Sequence, residues 1–365
     1  GIAKIFFKKK HNISAAYFTN NRQRNIHADV GGNKNGFSWG INASYKAAAD
    51  YKNKYDGYVF NSKFNEKNFG AYIGLNKSWG YSHWYLTKFD QAPGLVEGDR
   101  DDATGKFLKL ANIGGVETEE IATDADFKST NPFIPRQRIQ HFKIVTDNSF
   151  KIGKNRLTLL LGHQRNQRQE FGNVLVPGEK SLYFDLGSLN YNLQLHFAEK
   201  SNLKTTIGLN GMQQTNKNKG TEQLIPEYSL FDIGGFIYLQ KRFEKITLSG
   251  GLRFDNRSLD SKELLNGADI KFVAFKKNFS NISGSIGLAY QASKTVTWKF
   301  NIARGFRAPA IPELASNGAH EGTNRYEYGE QNLKSETSLQ ADAGVEIASE
   351  HVSFTANVFY NTMHH

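Results

Sequence analysis

The sequence predicts an all-β chain: part of the wall of an antiparallel, up-and-down transmembrane β-barrel. Three observations carry that prediction. Apolar and polar residues alternate along much of the 365 residues, the alternating segments are long, and long and short connections take turns between them. Composition sets the bounds. There are 46 Lys+Arg against 35 Asp+Glu, a net charge of +11, 39 % apolar residues, 13 % aromatics and no cysteine. A disordered chain would lack the aromatics. No run of about 18 apolar residues exists, so no transmembrane helix is expected. The absence of cysteine excludes a disulfide scaffold, a thiolate zinc site and a cysteine nucleophile. The segment Ile2 to Phe7, followed by Lys8-Lys9-Lys10, is too short for the apolar stretch of a signal peptide.

Taken in order, the expected strands are 12–20, 23–31, 36–47, 58–76, 79–90, 137–149, 155–170, 180–198, 202–217, 227–243, 245–260, 276–291, 295–305, 336–349 and 351–362. From Phe37 to Tyr45 every odd residue is apolar and every even one small or polar. The same alternation runs from Leu189 to Phe197 and from Ile246 to Phe254, and with one slip through 296–302 and 354–360. Side chains on a strand alternate faces, so each segment has one greasy and one wet face. Sandwich strands run about five or six residues; segments such as 58–76, 155–170 and 276–291 are far longer. A tilted bilayer-crossing strand needs about nine to eleven residues and often extends beyond the membrane. Connections 91–136, 171–179, 218–226, 261–275 and 306–335 are long, whereas 150–154, 199–201, 244, 292–294 and 350 are short. Outer-membrane barrels keep short turns on the periplasmic side and long loops outside. Fifteen strands is an odd number, whereas bacterial single-chain barrels have even counts and an open edge in lipid leaves backbone groups unpaired. The chain is therefore expected to be incomplete as a functional unit.

No catalytic constellation is evident: there is no GxSxG elbow, HExxH, phosphate-binding loop or dinucleotide fingerprint, and no enzyme is expected. The acidic runs Asp99-Arg100-Asp101-Asp102 and Glu117-Thr118-Glu119-Glu120 lack calcium-loop spacing and read as solvated loop. His27, His141, His163 and His196 sit on strands without a partner at metal spacing and read as wall residues. Lys8-Lys9-Lys10, Arg22 and Arg24 are expected to face lipid phosphates, lipopolysaccharide included, rather than nucleic acid. Trp79, Tyr81, Trp84, Tyr85, Tyr290, Trp298 and Tyr360 suit interfacial girdles.

The stretch 304–339 is the most specific. It reads Arg304-Gly305-Phe306-Arg307-Ala308-Pro309, then Pro312-Glu313-Leu314, and later Asn332-Leu333-Lys334-Ser335-Glu336. It closely resembles TonB-dependent outer-membrane receptors, especially the Bacteroidota type, with their "GFRAP…PEL" strand exit and "NPNLKPE.S" strand entry. Glu330-Gln331 replaces the usual Asn-Pro, and Ser335 a common Pro. Residues 31–39, and the hairpin from 229–235 to 250–255, agree with the resemblance.

The resemblance implies a 22-stranded barrel in the bacterial outer membrane, crossing it many times, of which this chain supplies about fifteen strands. Residues 1–10 would be the end of a plug domain, and 11–365 the barrel. It implies active uptake of a scarce nutrient, with a ferric siderophore complex the favoured cargo, and haem uptake or a passive porin-like barrel as alternatives. TonB, with its inner-membrane energising proteins, would engage an N-terminal segment not included here. A surface lipoprotein partner is possible; no resident cofactor is expected. On the outer loop 306–335, Arg307, His320, Glu321, Arg325, Tyr326 and Tyr328 are candidate ligand contacts, Arg for anionic chelates and Tyr for flat contact area. Phe306, Arg307, Ala308, Pro309, Asn332 and Leu333 are the family motif and are also expected to shape the loop. No metal ligand is expected, except His320 if the cargo is haem, since imidazole is a competent axial iron ligand.

Overall fold

A computed structural model describes residues 2–6, 11–320 and 325–364. In chain order the first strands are β1 (Ile2–Phe6), β2 (His11–Phe18), β3 (Gln23–Lys34), β4 (Phe37–Ala48), β5 (Lys52–Asn53), β6 (Gly57–Tyr58), β7 (Phe64–Lys77) and β8 (Gly80–Pro93). There follow β9 (Leu108–Ile113), β10 (Val116–Ile121), helix α1 (Asp124–Lys128), β11 (Arg136–Ile152), β12 (Asn155–Phe171), β13 (Tyr183–His196), β14 (Leu203–Asn218), β15 (Tyr228–Arg242) and β16 (Ile246–Ser261). The chain continues through β17 (Leu264–Asn266), β18 (Asp269–Phe272), β19 (Phe275–Gln291), β20 (Val296–Arg307), helix α2 (Ile311–Ala315), β21 (Asn317–His320), β22 (Arg325–Tyr328), β23 (Glu336–Ala348) and β24 (Ser353–His364).

Sixteen of these strands form one antiparallel sheet in the order β1-β2-β3-β4-β7-β8-β11-β12-β13-β14-β15-β16-β19-β20-β23-β24, so each wall strand pairs with the wall strands before and after it. The sheet is open: β1 and β24 each have one neighbour in it. The fifteen expected strands are all present. β1 is added beside β2, with Ile2 opposite Ala16, in a segment for which the alternation predicted no strand. The strand expected from residue 58 starts instead at Phe64, because Gly57–Tyr58 pairs locally with Lys52–Asn53.

The pleat separates two solvents. On one face, ladders of apolar side chains run from strand to strand: Leu193 opposite Leu209, Ile207 opposite Ile237, Ile237 opposite Leu252, and Ile286 opposite Ile302. Leu252 is 63 % exposed, Ile286 65 % and Ile302 55 %. A continuous apolar surface this wide belongs against lipid. The other face carries Asn190, Asn210, Asp232, Arg253, Asp255 and Lys299, and it is the face onto which α2 folds. Trp84 lies on the apolar face. Tyr81 and Tyr85 do not: as odd residues of β8 they point inward, where Tyr81 donates to Asp147 (3.3 Å) and Tyr85 stacks on Tyr72 at 6.3 Å. The girdle expectation for these two fails because strand alternation sends neighbours of Trp84 to the opposite side.

The two rims differ as the connection lengths predict. Tight turns such as Asn35-Gly36 close one rim; both residues have positive φ (54° and 81°), the requirement of a two-residue primed turn. The opposite rim bears the small hairpins β5–β6, β9–β10, β17–β18 and β21–β22 and both helices. Buried apolar clusters lie under these loops rather than between two sheets. One unites Leu230, Leu259 and Phe279 of the inner wall with Ile311 and Leu314 of α2. The other unites Val59, Phe60, Phe107 and Ala122.

Candidate functional site

A cavity of about 530 Å³ opens on the inner face beneath the loop that follows β20, lined by Asn190, Asn192, Asn210, Asp232, Arg253, Asp255, Arg257 and Arg307 among others. Register assembles it. Arg253 and Asp255 are two apart on β16 and share a face; Arg253 Nε donates to Asp255 Oδ2 (2.7 Å), and its Nη2 reaches across β15 to Asn210 Oδ1 on β14 (2.6 Å). Gly234 lies on the strand being crossed. A Cβ there would stand 2.2 Å from Arg253 Nη2 and 2.3 Å from Asp255 Oδ1, so glycine makes room for the pair. Arg257 grips Asp232 on β15 through Nε and Nη2, both at 2.8 Å. The guanidinium planes are therefore held in fixed orientations by bidentate or near-bidentate carboxylate contacts. The lining is polar and charge-balanced pair by pair, suited to a ligand with several hydrogen-bonding groups rather than to a bare ion.

Arg307 closes the upper edge. Its Nε and Nη2 donate to Glu336 (2.9 and 3.0 Å), and its Nη1 to both oxygens of Glu313 (2.9 Å each). Glu336 opens β23 and Glu313 belongs to α2, so one guanidinium ties both ends of the 306–335 loop together. The helix has local reasons to form. A proline stands in its first turn, where the missing N–H costs nothing. Ala310 lacks a capping side chain, and the Glu313 carboxylate takes its backbone N–H at 2.7 Å. That N–H and then Arg307 hold the Glu313 carboxyl below its usual range. Ile311 and Leu314 are pegs driven into the inner wall.

The remaining expected loop residues fall on this frame as follows. Phe306 is half-buried at the end of β20, Pro309 is buried, and Ala308 packs against the α2 cluster. The Asn332 N–H donates to Glu330 Oε1 (2.7 Å), and Leu333 is 40 % exposed. His320 and Arg325 are backbone partners at the end of the β21–β22 ladder; Glu321 lies outside the described residues, as do Lys8, Lys9 and Lys10. Tyr326 donates to Asn317 Oδ1 (2.7 Å), and its ring centroid is 4.7 Å from that of Tyr328, which is 80 % exposed. The structure thus brings Phe306, Arg307 and Ala308 of the expected residues to the cavity, and seats Tyr326 and Tyr328 on a hairpin beyond it. The hairpin is moored to its neighbours: the Asn317 N–H donates to Leu224 O and its Nδ2 to Lys271 O, both at 3.0 Å.

A second group, not anticipated from sequence, organises the loops after β4 and β8. Asp50 and Lys63 are fully buried, with Nζ 3.2 Å from Oδ2. Lys63 Nζ also donates to Asp126 O (2.6 Å) and sits 4.5 Å from the Phe133 ring centroid. Buried Asn61 donates to the carbonyls of Leu95, Phe133 and Pro135 and accepts from the Phe133 N–H. Burial pushes the Asp50 carboxyl up and the Lys63 ammonium down, each partner opposing the other's shift.

The acidic runs behave as loop structure. Arg100 pairs with Asp56 at 2.5 Å, Asp101 accepts the Thr104 N–H at 2.8 Å, and Glu120 faces Lys109 at 3.6 Å. Among the described residues no group of His, Asp and Glu is placed to hold a metal ion. His196 is hydrogen-bonded between Thr158 and Thr206, and His141 to Asn166, as wall residues.

The family model described as TonB dependent receptor-like, beta-barrel matches residues 6–364. No curated protein sequence matches the chain. Among solved structures, the FrpB iron transporter of Neisseria meningitidis (F5-1 variant) superposes with a TM-score of 0.70 at 13 % identity, over 98 % of this chain and 55 % of that one. The copper transporter OprC gives 0.71 at 13 % identity, over 97 % and 53 %. The Serratia marcescens hemophore receptor HasR, in complex with its hemophore and heme, gives 0.68 at 13 % identity, over 96 % and 54 %. The chain thus spans about half the length of these structures, and at such identities the likeness is one of fold.

Proposed function

Because the chain belongs to the TonB-dependent receptor-like β-barrel family, we propose that it forms wall and loops of an energised bacterial outer-membrane receptor importing a ferric siderophore complex. The observation that carries this reading is the pre-organised polar cavity under the Arg307-clamped loop. A ferric chelate is wide, polar and rich in oxygen acceptors. Oriented guanidinium and amide donors meet such a surface without paying to reorganise at the moment of binding. The Tyr326–Tyr328 hairpin adds flat amphipathic area above the opening. Release inward would be driven by TonB acting through a plug.

The test is growth of a deletion strain, complemented with the intact gene, on single iron sources. Restored growth on ferric siderophores that is abolished by an uncoupler supports the reading. Uncoupler-insensitive entry favours a porin-like barrel. The haem alternative rests on His320 in the β21–β22 hairpin. Under that alternative, His320→Ala removes growth on haem and spares growth on chelates; unchanged haem growth eliminates it.

A further inference from the structure

We infer that the cavity under the Arg307-clamped loop selects an iron(III) chelate without net charge, of the trihydroxamate kind, and rejects the trianionic tricatecholate kind. This deepens the receptor reading above and rests on it. Three singly charged hydroxamates cancel the charge of iron(III), whereas three doubly charged catecholates leave a trianion. Both complexes are wide and rich in oxygen, so net charge is what a rigid polar wall can tell apart.

Every cation in the lining already has a carboxylate. The lining cations are Arg253, Arg257 and Arg307. Arg253 is paired with Asp255 through Nε (2.7 Å to Oδ2) and Nη2. Arg257 holds Asp232 in a bidentate grip. Arg307, whose charge by itself would suit an anionic chelate, is divided between Glu313 and Glu336. Two carboxylates on one guanidinium leave that cluster net negative. Further down the same wall, Lys299 pairs with Glu346, and Asp342 is held by the amides of Asn301 (3.2 Å) and Gln340 (2.7 Å). A trianion entering here would shed water and find no uncompensated positive charge in the lining to replace it. Burying an unpaired charge costs far more than burying a neutral group that keeps its hydrogen bonds.

The lining offers uncommitted donors instead. Among the described residues, Nη1 of Arg253 and Nη1 of Arg257 meet no protein acceptor, because each carboxylate sits on the Nε and Nη2 side. Asn192 and Asn210 use their Oδ1 atoms, to accept from Gln194 (3.0 Å) and Arg253 (2.6 Å), which leaves their amide N–H groups available. Hydroxamate and amide oxygens accept from such donors without bringing excess charge.

The test is equilibrium binding of two probes to the purified full-length receptor: a ferric trihydroxamate and a ferric tricatecholate of matched size. The trihydroxamate is expected to bind about tenfold tighter or more, because mismatched charge at an interface is strongly penalised. Its affinity should change little with salt. Asp232→Asn with Asp255→Asn keeps acceptor oxygens and frees both guanidiniums. Tricatecholate affinity should then rise about tenfold or more, and the gain should fade as salt is added. Heat-shifted gel migration shows whether the double variant has folded, and the comparison on the unaltered protein stands without it. Equal or tighter binding of the tricatecholate by the unaltered protein overturns the inference and leaves ferric chelate import standing. So does unchanged tricatecholate affinity in a correctly folded double variant. Binding of neither probe overturns the inference; if the complemented strain also grows on no ferric chelate, the import reading falls with it.

Discussion

Replacing Lys63 by Met strips the buried Asp50 carboxylate of its ion pair while keeping an apolar stem of similar length. Asp50 then retains uncharged donors: the Lys63 backbone N–H at 3.0 Å, the Ser62 hydroxyl at 3.5 Å and the Asn61 backbone N–H. Removing one member of a buried pair costs about 3–5 kcal/mol. At about 1.4 kcal/mol per tenfold, that is roughly two to nearly four orders of magnitude in local opening. The readout is amide hydrogen exchange at the Asp50 N–H, which donates to Phe127 O, and at the Phe133 N–H, which donates to Asn61. The sign with pH follows from burial, which raises the Asp50 carboxyl. A carboxyl whose folded pKa is raised destabilises the fold above that pKa, and the penalty fades as pH falls to the unfolded value of about 3.9. The Lys63→Met defect should therefore be larger at pH 7 than at pH 4. Asp50→Asn with Lys63→Met keeps the acceptor oxygen without the charge, and should return protection to within about 1 kcal/mol of the original. Protection in Lys63→Met within threefold of the original at pH 7, or a defect that does not respond to pH, would refute the reasoning.

Three further outcomes are expected. Arg307→Ala releases both Glu313 and Glu336, so protease should cut within 308–335 on intact cells faster than in the original, and Arg307→Lys, without the planar fork, should restore little resistance. Ile302→Arg places a charge on the lipid face and should lower folding stability in bilayers by about 2–4 kcal/mol if that residue lies near the midplane, whereas Asn301→Arg on the inner face should cost much less in the same urea titration. Gly234→Val drives a side chain into the Arg253–Asp255 pair, and should weaken cargo binding while leaving the heat-shifted migration of the barrel intact; unchanged affinity would show that the cavity lining does not touch cargo.

The wall was legible because its two faces meet different solvents, and a period of two survives in any order of strands. Leu189 to Phe197 and Ile246 to Phe254 read correctly for that reason. What the alternation does not contain is which polar residue faces which. Arg253 meets Asn210 across 43 positions of sequence, a pairing set by register. Arg253 and Asp255, two apart on one strand, were the one available hint of the cavity. Helix α2 is five residues long, too short for a 3.6-residue period, and the β9–β10 ladder hides in a loop of mixed composition. The 306–335 motif drew attention to the loop that lies over the cavity, but its spacing does not contain the engagement of Arg307 by two carboxylates, Glu313 and Glu336. Asp50 and Lys63 carry no sequence signal, because nothing local announces that the chain will bury them.

Each of the four rim hairpins closes on its own short ladder and hangs from two staves that are already paired to one another. Lengthening or trimming any one leaves the neighbouring staves in step. The tall rim can thereby change by insertion and deletion while the wall below keeps its register.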